Sequence, residues 1–210
     1  MKIVSVALTL TCLLRVVVLA QDDGSLFGTN SVSFVPIQVG GSLRGCTLAY
    51  EAVVADHAYL GGNPVQAVGN LTVHVQDLNV TLALKLGVRS ILGRGQRFEA
   101  PYFAYLQSAN SSTAKLRYVS GDGEEGFRLF IVRLDDQALK VLMEALQARK
   151  VVVGFNRKEG GLDVLVPVDL TVVKTDSSGD KVVRTRSSEP VQAFGQCVLK
   201  VVEGALKQAR

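Results

Sequence analysis

The stretch Lys150–Val173 constrains the fold of this chain more than any other, because its second half alternates between apolar and polar side chains. The apolar positions are Leu162, Val164, Val166, Val168, Leu170 and Val172, and Asp163, Asp169 and Thr171 lie between them. Successive side chains of a strand point to opposite faces of its sheet, so this period of two indicates a half-buried strand. The stretch therefore predicts a long β-hairpin with one apolar face against the core. Its polar tip, Asn156–Gly161, is a candidate contact surface.

The same period of two recurs along most of the chain before this hairpin. Residues 46–54, 71–75 and 80–86 alternate in this way, and Gly61–Pro64 is a strong reverse-turn signal. Pro36 interrupts the strand Ser31–Val39, and because proline cannot donate to a ladder, we expect this strand at a sheet edge. Further strands are predicted at residues 98–106, and residues 116–119 are expected to form a hairpin with residues 127–134.

Consecutive hairpins of this kind are typical of antiparallel sheets. The valine-rich composition without tryptophan also favours strands over helices. We therefore predict a mainly β fold, either an antiparallel β-sandwich or a strongly curved sheet of about seven to nine strands.

Two amphipathic segments predict helices packed on one end or edge of the sheets. The first begins at Asp135 or Asp136, since aspartate accepts hydrogen bonds from the free amides of a first helical turn. Its apolar stripe is Leu139, Leu142, Met143 and Leu146. The second covers about residues 189–208, with an apolar stripe of Phe194, Cys197, Val198, Val201 and Ala205. Residues 21–30 are expected to form a loose arm, and residues 174–188 a mobile loop.

The N-terminus has the pattern of a secretory signal peptide. Lys2 is followed by a mostly apolar run that ends at Ala20, and this predicts cleavage after Ala20. Arg15 interrupts the run, and an uncleaved membrane anchor is the alternative. No later stretch is long and apolar enough to span a membrane, so the prediction is a single exported domain, residues 21–210, in the periplasm or outside the cell.

Cleavage would leave two of the three cysteines, Cys46 and Cys197. Because an oxidising compartment favours disulfides and the pair has no CxxC spacing, we predict that these two cysteines form a disulfide. Loss of Lys2 and Arg15 also reduces the net charge from +4 to +2, with 21 basic and 19 acidic residues remaining. Aromatic residues do not interleave with basic ones in any run, so no nucleic-acid partner is expected.

Candidate site residues are few. Asp56, His57 and Tyr59 lie together before a turn, and the loop Arg89–Arg97, with Arg94 and Arg97, has the glycine and arginine content of an anion-binding loop. At the tip of the long hairpin, Asn156 and Arg157 are further candidate contacts. The acidic turn at residues 122–125 lacks the spacing of a calcium loop, and we expect no metal and no cofactor. The other histidine, His74, is expected to be a solvated strand residue.

No nucleophile motif or paired carboxylates accompany these residues. The leading hypothesis is therefore an exported, non-catalytic binding or structural component whose partner is another protein or a component of the cell envelope. One alternative is a small-ligand binder or hydrolase built around Asp56, His57, Tyr59 and the Arg89–Arg97 loop. A further alternative is an assembly subunit that pairs through the Pro36 edge strand.

Overall fold

The structure, a computed structural model, describes residues 19–22, 25–76, 79–92, 96–117, 124–178 and 181–208. The predicted fold class is confirmed: the chain is mainly β, in antiparallel sheets, with two helices. The strands of the described residues are β1 (Leu19–Asp22), β2 (Gly28–Val39), β3 (Ser42–Asp56), β4 (Asn63–Gln76), β5 (Asn79–Ser90), β6 (Phe103–Gln107), β7 (Leu116–Arg117), β8 (Phe127–Arg133), β9 (Lys150–Asn156), β10 (Val164–Asp169), β11 (Val172–Ser178) and β12 (Lys181–Arg186). The helices are α1 (Asp136–Ala148) and α2 (Glu189–Gln208).

The largest sheet has five strands in the order β2-β3-β4-β5-β8. Three consecutive hairpins build most of it, as the alternating pattern predicts, and β8 joins β5 from further along the chain. Strand β2 lies at one edge, which confirms the position expected from Pro36. A register shift between Ile37 and Gln38 adds an irregularity next to this proline.

A second layer covers one face of this sheet, which we call the inner face. It consists of helix α2 and a four-stranded sheet in the order β10-β9-β6-β7. The long hairpin is confirmed as the β9–β10 pair, and Val164, Val166 and Val168 point into the core while Leu165 is exposed. The alternation begins later than predicted, however, because Leu162 precedes the strand and is exposed.

Helix α2 packs across the inner face through the predicted apolar stripe, and all five of its predicted members are buried. Cys197 is one of them, and it forms a disulfide with Cys46 of β3, with a Cα–Cα distance of 6.0 Å. The bond joins the helix to the middle of the large sheet across 151 residues of sequence. The pairing predicted from the sequence is therefore present in the structure.

Helix α1 begins as predicted, but its buried face only partly matches the predicted stripe. Asp135 is its N-cap and accepts a hydrogen bond from the amide of Ala138 at 2.9 Å. The buried positions are Ala138, Val141, Leu142 and Ala145, whereas Leu139 and Met143 are exposed. Of the predicted stripe, Leu142 is confirmed and Leu146 is half-buried against the core, but Leu139 and Met143 are wrong, since Ala138, Val141 and Ala145 face the sheet instead.

Two further expectations are wrong. Strands β7 and β8 do not form a hairpin, since β7 pairs with β6 in the four-stranded sheet and β8 pairs with β5 in the large one. Residues 174–188 are not a mobile loop, because β11 and β12 pair along most of this segment in a third sheet with the order β1-β12-β11. The acidic turn at residues 122–125 lies partly outside the described residues.

Cross-strand pairs of an aromatic residue and a glycine recur in both layers. Tyr50 faces Gly69, Phe127 faces Gly87 and Tyr105 faces Gly154. A Cβ atom on any of these glycines would lie less than 3 Å from the ring of its partner. The ring therefore occupies the space over the glycine, an arrangement that compensates for the missing side chain and resists a slip in register.

The predicted signal peptide lies almost entirely outside the described residues. Its last two residues, Leu19 and Ala20, belong to β1, in which Ala20 pairs with Thr185 and Gln21 with Arg184. Cleavage after Ala20 would cut within this strand and remains a prediction. Within the described part of the chain, no helix is both long enough and apolar enough to cross a membrane.

Candidate functional site

Three of the predicted site residues converge where the turn after β3 meets the tip of the β9–β10 hairpin. Asp56 is fully buried, and its carboxylate accepts hydrogen bonds from the amide of Tyr59 at 2.9 Å and from Nε of Arg157 at 3.3 Å. The hydroxyl of Tyr59 donates to the carbonyl of Leu162 at 2.6 Å, and the Arg157 guanidinium lies 5.9 Å from the Tyr59 ring centre. The cluster clamps the hairpin tip onto the turn.

The remaining members of the predicted site do not complete a pocket. His57 is exposed and its ring covers Gly62. Arg97 is exposed and its guanidinium lies 3.7 Å from the carboxylate of Glu125, and Arg94 lies outside the described residues. Neither of the two cavities described here is lined by Asp56, His57, Tyr59 or Arg157. Since Asp56 and Arg157 already bind each other and Arg157 also binds Glu99 at 2.6 Å, this cluster has the arrangement of a structural ion pair.

Asn156 has a structural contact of the same kind. Its side chain is buried, accepts from the amide of Phe103 and donates to Asp163 at 3.3 Å. Asp163 also accepts from Tyr105 at 3.1 Å and pairs with Lys115 at 2.8 Å. Burial alone would raise the pKa of Asp163, but the bonds from Lys115 and Tyr105 outweigh it and hold this pKa below its ordinary value.

Acid is therefore expected to weaken the hairpin. A carboxyl whose pKa is lower in the folded state stabilises the fold above its unfolded pKa of about 4, and this stabilisation is lost as the pH falls through the folded value. In urea unfolding measured from pH 7 to pH 2, Asp163→Asn should reduce the loss of stability below about pH 4. Asp176, whose ion pair with Lys174 is exposed, provides the control Asp176→Asn. Equal acid slopes in the two variants would contradict the assignment.

A groove on the opposite, outer face of the large sheet is the largest cavity described here. Strand register places the outer-face side chains in rows that cross all five strands. One row is Val35, Thr47, Thr72, Ala83 and Ile131, and the next is Ile37, Gly45, His74, Thr81 and Arg133. The middle strands carry small residues in most of these positions, whereas the edge strands β2 and β8, roughly 19 Å apart, carry large ones. This size gradient forms a trough between two apolar ridges.

The trough, which we call the outer groove, has a volume of about 720 Å³. Its lining residues are Ile37, Val39, Arg44, Thr72, His74, Val75, Gln76, Ala83, Leu129 and Ile131. Val39 and Leu129 are exposed by 62% and 40%. The outer face of an antiparallel sheet is usually polar when it faces water, so apolar ridges here are unusual.

The other end of the outer face shows the usual polar surface. Glu51 accepts from Asn30 and Gln66, and Arg89 donates to Gln66 in the same network. Lys85 pairs with Glu124 at 2.7 Å. Phe98 and Phe127 also pack together at this end, with ring centres 4.8 Å apart, but the charged groups of Lys85 and Arg89 lie 5.0 and 4.8 Å from their rings. The apolar groove lies at the opposite end of the sheet, where the β2–β3 and β4–β5 hairpins turn.

Polar atoms in the groove floor mostly bond to each other. The hydroxyls of Thr47 and Thr72 lie 3.0 Å apart, and Thr81 Oγ1 lies 2.9 Å from Nδ1 of His74. His74 is half-buried rather than solvated, and its strand packs closely against Gly45, where a Cβ atom would lie 2.8 Å from the Val73 carbonyl. The floor thus offers few free hydrogen-bonding groups to a ligand.

The groove was not predicted from the sequence, since each strand contributes only one to four of its residues. Among the described residues, no group of three His, Cys, Asp or Glu side chains is arranged to hold a metal ion. Comparison of the chain with protein-family models, with curated proteins and with solved structures gives no match.

Proposed function

We propose that the chain is an exported, non-catalytic binding domain that holds a small apolar or amphipathic molecule in the outer groove. The observation that carries this proposal is the apolar trough on a sheet face whose other end carries a network of charged and amide side chains. Its volume of about 720 Å³ lies within the range of small-molecule sites, and pockets of this kind are lined mainly by apolar side chains. The Cys46–Cys197 disulfide is compatible with export.

The two alternatives have weaker support. A site around Asp56 and Tyr59 would need a cavity and unpaired groups, whereas Asp56 is buried and bound to Arg157. Pairing through β2 would need a regular free edge, but Pro36 lacks a donor and the adjacent register shift distorts the ladder. Both features are typical of an edge that avoids strand addition.

A neutral apolar dye tests the proposal. Nile red should bind the protein with a 1:1 stoichiometry, and the variant Val39→Gln with Leu129→Gln should weaken its binding by about tenfold, because two apolar contacts are lost. The measurement is a fluorescence titration, with urea unfolding to verify that the variant is folded.

The matched control uses two leucines of the β9–β10 hairpin, which lies in the other layer, away from the outer groove. Leu162 and Leu165 are exposed by 70% and 51%, similar to the groove pair. Their double substitution to glutamine should leave the dissociation constant unchanged. Equal weakening in both double variants, or no binding to the wild type, would show that the outer groove is not the site.

A further inference from the structure

The open end of the outer groove carries two arginines that form no ion pair within the described part of the chain. Arg44 lines the groove at the start of β3, and Arg133 ends the row that contains His74. Neither arginine forms an ion pair or a side-chain hydrogen bond with any residue that the structure describes. Asp135, two residues beyond Arg133, already accepts a bond as the N-cap of α1.

None of the described residues that line the groove is acidic. An arginine at the rim of an apolar trough provides a planar, permanently charged donor that suits a carboxylate or phosphate. The floor of the trough therefore favours an apolar part of a ligand, and the rim favours a negatively charged part at the end near the β2–β3 and β4–β5 hairpins.

We propose that the ligand of the outer groove is a free single-chain amphiphile with an anionic head group, whose chain lies in the trough and whose head group pairs with Arg44. Arg133, on the far edge strand β8, adds positive charge at the same end of the sheet. This inference rests on the proposed function. A carboxylate head is the simplest member of the class. The single chain follows from the geometry, because the floor is one continuous strip of small side chains between two ridges.

Head-group chemistry can be varied at constant chain length. Dodecanoate and dodecylammonium, each below its micelle concentration, and dodecanol, below its solubility limit, compete with Nile red in the same titration. We expect dodecanoate to bind about tenfold more tightly than dodecanol, which corresponds to one charge-assisted hydrogen-bonded pair, and dodecylammonium to bind most weakly. The preference for dodecanoate should diminish as salt is raised from 50 mM to 500 mM, about the range over which exposed charges become screened.

Arg44→Gln should reduce dodecanoate affinity to that of dodecanol while leaving dodecanol binding unchanged. Lys200→Gln, which removes one positive charge from the exposed side of α2, is the control and should change neither. Equal affinities of the wild type for dodecanoate and dodecanol would overturn the head-group inference while the proposed function stands. Failure of all three compounds and of Nile red to bind would overturn both.

Anionic lipid vesicles distinguish a free amphiphile from a membrane surface. Vesicles of phosphatidylglycerol and phosphatidylcholine should not retain the protein in a sedimentation assay. Sedimentation with vesicles, without binding of free dodecanoate, would overturn the inference and indicate a membrane-surface role for the same charges.

Discussion

Removal of the Cys46–Cys197 disulfide is expected to lower the free energy of unfolding by about 5 kcal/mol, the largest effect of any change considered for this chain. The bond closes a loop across a sequence separation of 151 residues, so its loss restores much conformational freedom to the unfolded chain. Domains of this size are stable by about 5–15 kcal/mol in total, and the reduced protein should therefore be close to the limit of folding. Urea unfolding of the oxidised and reduced wild-type protein measures the difference.

Reduction is a better comparison than substitution, because it removes the crosslink but leaves both buried sulfur atoms in place. The double variant Cys46→Ala with Cys197→Ala serves as a second measurement and should lose somewhat more stability, since it also removes the packing of the sulfur atoms. Equal stability of the oxidised and reduced proteins, or two free thiols in non-reducing mass analysis of the purified protein, would contradict the expectation.

The sequence predicts correctly those elements whose own residues show a full apolar stripe at the spacing of a helix or a strand. Helix α2 and the β9–β10 hairpin each bury one regular stripe, so their apolar residues alone define them. The disulfide follows from the two cysteines that the predicted cleavage would leave and from the inward-facing position of Cys197. Helix α1 is ambiguous in this respect, because Ala138, Val141 and Ala145 recur at the same helical spacing as Leu139, Leu142 and Leu146. The two stripes adjoin on the helix surface, and the buried face includes Leu142 from one and the two alanines from the other.

Strand β12 shows why other elements were missed. Its inward-facing residues are Val182 and Arg184, and because arginine is read as polar, the period of two is hidden. The groove was missed for a different reason: it depends on which residues of five strands lie side by side. Which residues lie side by side depends on the register between strands, and the pattern within a single strand does not reveal that register. The Asp56–Arg157 pair likewise joins residues 101 positions apart, so adjacency in sequence could suggest only Asp56 and Tyr59.

Arg184 is the residue whose replacement should have the second-largest effect. It is 3% exposed, and its guanidinium donates to three backbone carbonyls at the start of β2 and just before it: Thr29 at 2.9 Å, Ser25 at 3.0 Å and Phe27 at 3.1 Å. Residues 25–30 were expected to form part of a loose arm, but β2 pairs with β3 from Gly28 onward and Arg184 binds the carbonyls on either side of that start. Gly28 lies directly over Arg184, where a Cβ atom would be 3.2 Å from Nη2.

Arg184→Met keeps the length of the side chain but removes all of its donors, and it should destabilise the protein by about 4 kcal/mol, because three carbonyls lose a charged partner in a buried site. In this variant, hydrogen exchange should become faster at the amides of Gly28–Asn30 but change little at the amides of β3 and β4. Thermolysin, which does not require an arginine at its cleavage site, should cut the variant near Phe27. Arg128→Met is the matched control, since Arg128 donates to the carbonyl of Pro101 at 2.8 Å on a partly buried surface, and a loss of about 1 kcal/mol is expected there. Equal losses in the two variants, or unchanged exchange at Gly28–Asn30, would show that the arm is held by its strand pairing instead of by Arg184.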